Sequence, residues 1–114
     1  MEAKQIIRQI IALFDNNDTE GLINIVTDDF EWIMVGDMTV KGKEELKKMF
    51  AASGDMEMLS ATKDHLVVEG NTGVCDGIVT MKENGEEKER HYCDIYELQG
   101  EKLKKMTTYI VNKR

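Results

Sequence analysis

Residues 60–112 read SATKDHLVVEGNTGVCDGIVTMKENGEEKERHYCDIYELQGEKLKKMTTYIVN. Four β-type runs, 60–69, 73–83, 87–99 and 102–112, are separated by three short turn signals, Gly70-Asn71, Asn84-Gly85 and Gln99-Gly100-Glu101. Runs rich in Val, Ile, Thr and Tyr between Gly and Asn punctuation are the pattern of antiparallel strands, so this half is expected to form a four-stranded meander. Asn84-Gly85 is the strongest of the three signals, because a type I′ turn needs positive φ at both central residues. A loop centred there pairs residues whose numbers sum to 169, which sets Asp94 opposite Cys75 and Tyr92 opposite Gly77. On that register Asp94 shares its face with Tyr92, Tyr96 and Leu98, while Asp76, Ile78, His91, Cys93 and Ile95 take the other face. Asp is disfavoured on strands, so Asp94 stands out.

Working outward, residues 3–14 place Ala3, Ile6, Ile7, Ile10, Ile11, Leu13 and Phe14 at helical spacing, one broad apolar face. Asn16, Asn17 and Asp18 end that helix, and Asp18 can cap a second one whose apolar side is Leu22, Ile23 and Val26. Residues 30–35 are aromatic and β-branched and read as a first strand ended by Gly36 and Asp37. Residues 43–53 read as a third helix, with Glu44 and Glu45 in its first turn and Lys47 and Lys48 later, the order that suits the helix dipole. Residues 54–59 are expected to be a loop carrying Met56 and Met58. The fold class is thus α+β, a curved, cone-shaped antiparallel sheet packed on N-terminal helices, in a single domain over residues 1–114.

The chain has 114 residues, no proline and scattered glycines, which leaves no linker-like segment. Its formal net charge of −7 repels phosphate backbones, and its basic clusters are small, so nucleic acid is set aside as a partner. No apolar run approaches the roughly 18 residues of a membrane span. The stretch 6–14 is interrupted by Arg8 and Gln9 and lacks a small-residue cleavage pattern, so no signal peptide is expected. A cytoplasmic location follows as the expectation, with Cys75 and Cys93 reduced. His65 and His91 stand in no metal-ligand spacing, and neither a metal nor another cofactor is expected.

The order helix, helix, strand, helix, meander resembles the nuclear transport factor 2-like fold, also called cystatin-like, and within it the SnoaL-like branch that includes polyketide cyclases and is related to ketosteroid isomerase. The stretches carrying the resemblance are Asp28-Asp29-Phe30-Glu31-Trp32, Val40-Lys41-Gly42-Lys43-Glu44-Glu45-Leu46, and Tyr92-Cys93-Asp94-Ile95-Tyr96-Glu97-Leu98 through Tyr109. Ketosteroid isomerase uses an Asp base opposite a Tyr and a protonated Asp. Carried onto this chain, the protonated Asp falls at Asp94, the base at Ile33 and the phenol at Ile10. Carbon-to-carbon proton transfer needs a base, so the resemblance argues against steroid isomerisation. SnoaL-like cyclases resemble this chain more closely in keeping an acid at the Asp94 position.

The resemblance implies a small apolar ligand in the cone, with Asp94 as candidate acid and Ile10, Phe14, Ile33, Phe50 and Tyr96 lining the site. Met56 and Met58 would form an adaptable lid. Burial among apolar side chains would raise the pKa of Asp94, the property a general acid needs. The alternative is a non-catalytic binding or dimerisation module in which Asp94 is a hydrogen-bonded structural carboxylate. In either case a homodimer is expected through the outer sheet face, where Ile78, Cys93 and Ile95 are apolar. Glu97 and Lys104 are expected to pair across the last hairpin.

Overall fold

The computed structural model describes residues 2–52 and 56–112. Helix α1 (Ala3–Asp15) buries Ile6, Ile7 and Ile10, the apolar stripe read from the sequence. Asn17, at φ 52°, breaks it, and Asp18 caps α2 (Thr19–Ile25) by accepting the Gly21 N–H at 2.9 Å. Strand β1 (Val26–Met34) starts directly at the end of α2, so Val26 opens a strand rather than completing a helical face. A turn with Gly36 at φ 81° returns the chain into a short edge strand, β2 (Met38–Lys41), before α3 (Gly42–Ala52). Gly36 and Asp37, expected to end the strand, instead turn the chain into this hairpin. The expected end of α3 at Ser53, and the Gly54 end of the expected loop, lie outside the described residues.

The meander is present, with two corrections. The expected first run is two strands, β3 (Met56–Ala61) and β4 (His65–Glu69), both antiparallel to β5 (Thr72–Glu83). Their registers on β5 differ by one residue: Ala61 faces Val79 while His65 faces Asp76. One extra residue at 62–64 is therefore accommodated as a bulge, which bends the strand. The close approach there needs Gly77, because a Cβ at that position would lie 2.1 Å from the Thr62 carbonyl oxygen. Part of the expected 54–59 loop also joins the sheet, as β3.

The second correction concerns the sheet as a whole. Strands β6 (Glu86–Gln99) and β7 (Lys102–Asn112) continue the antiparallel order, but β1 runs parallel to β7, giving the mixed order β2-β1-β7-β6-β5-β3 with β4 also on β5. Distant ends of the chain thus meet in the middle of the sheet. At Asn84 and Gly85, φ values of 51° and 85° carry the hairpin, and Cys75 faces Asp94 while Gly77 faces Tyr92, as the turn demanded. A register shift between Glu97 and Leu98 sets Glu97 opposite Lys105. Lys104 instead approaches Asp29, at 3.6 Å, so the expected Glu97–Lys104 pair is replaced.

The core fills the space between the helices and one sheet face. Ile7 and Ile10 meet Phe30, Leu46, Tyr96 and Met106 there, all at most 2% exposed. Among the described residues no helix covers the sheet's other face. One row of it runs Val67, Val74, Ile95, Thr107, Ile33 across β4, β5, β6, β7 and β1.

Candidate functional site

Asp94 lies near the middle of β6 on the helix-covered, concave face. Its row across the sheet is Cys75, Asp94, Thr108 and Met34, because β5, β6, β7 and β1 are held in that register. The next row brings Tyr96, Met106 and Trp32 alongside. A short polar cluster forms within otherwise apolar surroundings. The Trp32 indole N–H donates to Thr108 Oγ1 at 2.8 Å, and Thr108 donates to Asp94 Oδ1 at 2.7 Å. The Tyr96 hydroxyl stands 3.4 Å from Asp94 Oδ2. Beyond it, Cys75 Sγ lies 3.8 Å from the Tyr92 hydroxyl, which donates to the Thr62 carbonyl at the bulge.

These surroundings set the protonation states. Removal from water disfavours the charged form of any group. Burial pushes the Asp94 carboxyl up to about 6, against the hydrogen bonds from Thr108 and Tyr96, which favour the carboxylate. Burial likewise raises the phenols of Tyr92 and Tyr96 and the thiol of Cys75. Asp94 is therefore the group of this cluster that changes charge near neutrality. Cys93, on the opposite face, is also pushed up by burial, and both cysteines are free. Neither thiol has the depressed pKa of a nucleophile.

Two open clefts lie away from Asp94. One, of about 500 Å³, runs between Asp28, Asp29, Lys43 and Lys104, with Lys43 approaching Asp28 and Lys104 approaching Asp29, each at 3.6 Å. The other, of about 200 Å³, lies beside Asp76, His91 and Cys93. His65 Nδ1 meets Asp76 Oδ1 at 2.8 Å near it. Among the described residues no group of three or more His, Cys, Asp or Glu side chains is arranged to hold a metal ion.

Over residues 7–106 the sequence matches the profile of a family described as a SnoaL-like domain. The chain belongs to that family. A comparison with curated proteins finds no match. Solved structures supply the fold relatives. A candidate SnoaL-like polyketide cyclase from Shewanella putrefaciens CN-32 has a TM-score of 0.85 at 13% identity, covering 97% of this chain and 91% of that one. An LEH-like epoxide hydrolase from M. tuberculosis has a TM-score of 0.83 at 12% identity, covering 95% and 81%. An NTF2-like protein of unknown function from Cytophaga hutchinsonii ATCC 33406 has a TM-score of 0.74 at 24% identity, covering 96% and 100%. The SnoaL-like chain shares their fold, helices on a curved mixed sheet.

Within this SnoaL-like domain the residues proposed from sequence separate into three groups. Phe14 and Phe50 are half-buried, and Phe14 packs edge-on against Trp32 with ring centroids 5.5 Å apart. Ile10, at 0% exposure, and Tyr96, at 2%, are core, so Ile10 fills space beneath the site rather than lining it. Ile33 lies on the wrong face: its partner is Thr107, in the row of Ile95 and Val74, whereas Asp94 pairs with Thr108. The side chains of β1 that pack on the concave side are Phe30, Trp32 and Met34. Met58 is a sheet residue opposite Met81, its carbonyl accepting from Asn17 Nδ2 at 3.2 Å, and the Met56 side chain lies outside the described residues. Sequence reasoning missed Trp32, Thr108 and Tyr92 as members of the site. Alternation through Phe30, Trp32 and Met34 was the signal for Trp32.

Proposed function

We propose that this SnoaL-like protein binds a small, neutral, apolar molecule against the concave sheet face and that Asp94 engages it. The carboxyl would act as proton donor when protonated and as electrostatic stabiliser when ionised. The observation that carries this reading is the environment of Asp94: a carboxyl pushed up to about 6, oriented by hydroxyls, beside the half-buried Phe14, Trp32 and Tyr92. With that value roughly one molecule in ten holds the proton at pH 7, a usable population for general acid catalysis. Acid-assisted cyclisation, isomerisation or hydration of an oxygen-bearing molecule is the reaction class. The fold relatives named for epoxide hydrolysis and polyketide cyclisation support that direction. The reading calls for no cofactor, since the proton belongs to Asp94, and two thiols kept as thiols suit the cytoplasm.

A thermal-shift screen against small neutral aromatic and polyketide-like compounds tests it. A ligand at a hundred times its Kd adds about 2.7 kcal/mol to apparent stability. We expect a rise in Tm with the parent protein and a smaller rise with Asp94→Asn. No rise with any compound in the parent removes the reading.

A second reading, an association module, is favoured by the uncovered sheet face. Val67 is 63% exposed there, in one row with Val74, Ile95 and Ile33. A symmetric pair of copies facing each other would cover it. Light scattering at micromolar concentration is expected to give about twice the chain mass of 13.0 kDa, and a clean monomer refutes association.

A further inference from the structure

Trp32 and Thr108 lie 76 positions apart in the chain and meet because β1 and β7 pair in parallel. An indole N–H donates and never accepts, and a threonine hydroxyl has one hydrogen to give. Trp32 Nε1 donates to Thr108 Oγ1 at 2.8 Å, which uses that oxygen as an acceptor and aims its own hydrogen elsewhere. That hydrogen goes to Asp94 Oδ1 at 2.7 Å. Turning that hydrogen away from Asp94, so that Oγ1 accepted twice, would strand it at a position only 6% exposed, at the cost of an unmet buried donor. The donation from Trp32 and the burial of Thr108 together favour that direction.

The geometry points to Trp32 and Thr108 as positioning residues that make Oδ2 the one atom of Asp94 able to carry and release a proton. This rests on Asp94 being the working carboxyl proposed above, and it says where a ligand must reach. Oδ1 already receives a hydrogen in both protonation states, so a proton placed there would set two hydrogens against each other across 2.7 Å. Among the described residues Oδ2 is met by the Tyr96 hydroxyl at 3.4 Å, which can turn its hydrogen away and accept instead. The ligand atom served by this site is therefore a neutral acceptor, a carbonyl or ether oxygen, arriving at Oδ2. On transfer the Oδ2–H bond breaks and an O–H bond forms on the ligand. The electron pair stays on the carboxylate, where the Thr108 hydrogen bond stabilises it.

The groups that could confuse such a titration are few. Cys75 from β5 and Tyr92 and Tyr96 from β6 face Asp94, and all three are raised by burial and neutral through pH 7. From α1, Asp15 acts on Tyr92 and is held by Lys63 at 2.6 Å. The β1 neighbours, Trp32 and Met34, do not titrate. His65, His91 and Cys93 belong to the outer-face rows.

NMR of the folded protein, with no ligand, tests the assignment separately from the ligand screen. In the parent, the Trp32 indole N–H resonance is expected to move with pH at the same midpoint as the Asp94 carboxyl carbon, near 6, and Asp94→Asn should abolish that movement. Thr108→Val should raise the Asp94 midpoint by about one unit, a tenfold tighter proton. Thr108→Ser, which keeps the hydroxyl, should restore the parent value, and Trp32→Phe should shift the midpoint upward by less. An indole resonance indifferent to Asp94, or a folded Thr108→Val protein with the parent midpoint, overturns the proposal. If Thr108→Val fails to fold, the parent indole titration and its Asp94→Asn control decide alone. A silent ligand screen with the indole titration intact would count against the ligand and leave the relay standing.

Discussion

Strand β6 shows two different proteins on its two faces. On the concave side Tyr92, Asp94 and Tyr96 sit under helices, their polar atoms matched to Thr62, Thr108 and each other, and their proton affinities are raised. One residue along, Cys93 and Ile95 belong to a face with no helix over it, in rows that include the exposed Val67 and Tyr109. Side chains alternate across a strand, so neighbours in sequence occupy different solvents. The proposed chemistry belongs to the enclosed side, where a hydroxyl or carboxyl has few partners to choose among. The open side offers area instead.

Truncation tests this contrast most severely. Ile10→Ala, in the core, should cost about 2–5 kcal/mol in chemical denaturation, while Ile33→Ala on the open face should cost less than about 1.5. Equal losses would break the assignment of faces.

Next comes the charge on Asp94. Its folded-state pKa is raised above the unfolded value of about 3.8, so the native state holds the proton more tightly. The penalty for ionising it is absent below about pH 3.8, grows between there and about 6, and is constant above. Asp94→Asn should accordingly stabilise the protein at pH 8 by up to about 3 kcal/mol and make no difference at pH 3. The amide fits because its oxygen can accept from Thr108 and its nitrogen can donate to Tyr96. A clear destabilisation at pH 8 would mark a structural carboxylate and end the acid reading.

Gly77→Ala probes the bulge that brings Thr62 over the concave face. Its Cβ would stand 2.1 Å from a backbone oxygen, and overpacking of this kind typically costs about 1–3 kcal/mol. An unchanged denaturation midpoint would show that the bulge yields to the added methyl. The smallest effect belongs to the open face, where Val67→Ser should alter stability by no more than about 0.5 kcal/mol in dilute solution. Its effect should appear as weaker self-association by sedimentation, and identical sedimentation at every concentration would remove Val67 from any interface.

What the sequence made legible follows the range of the interactions. Asn84 and Gly85 act locally, and their turn chemistry alone set Asp94 opposite Cys75 across a strand pair nine residues away. The face of Asp94 was legible for the same reason. The parallel pairing of β1 with β7 was not, since nothing near either strand encodes a partner about 75 residues distant. Without that pairing, Trp32 and Thr108 remain unrelated residues. Ile33 entered the site through the resemblance, as the position of the isomerase base, and residues 30–35, apolar on both faces apart from Glu31, offered no alternation to oppose it. The break between β3 and β4 carries no Gly or Pro, and its cause is the fit of Thr62 over Gly77, a tertiary matter. Thr107 and Thr108 are alike in sequence, and the register shift at Glu97 and Leu98 decides which of them reaches Asp94.

The parallel β1–β7 pairing also dictates a timetable. A chain leaving the ribosome has Trp32 long before Thr108, and the hairpin around Asn84 can close while β1 still has no partner. Contacts of such separation form late because they must first overcome the entropy of a long loop. Trp32 is the single tryptophan of the protein, so its fluorescence reports the docking of β1 on β7 without any label. In stopped-flow refolding that signal should trail the growth of β-structure seen by circular dichroism. A tryptophan signal that leads it would mean that these two distant strands meet first and the hairpins fold onto them.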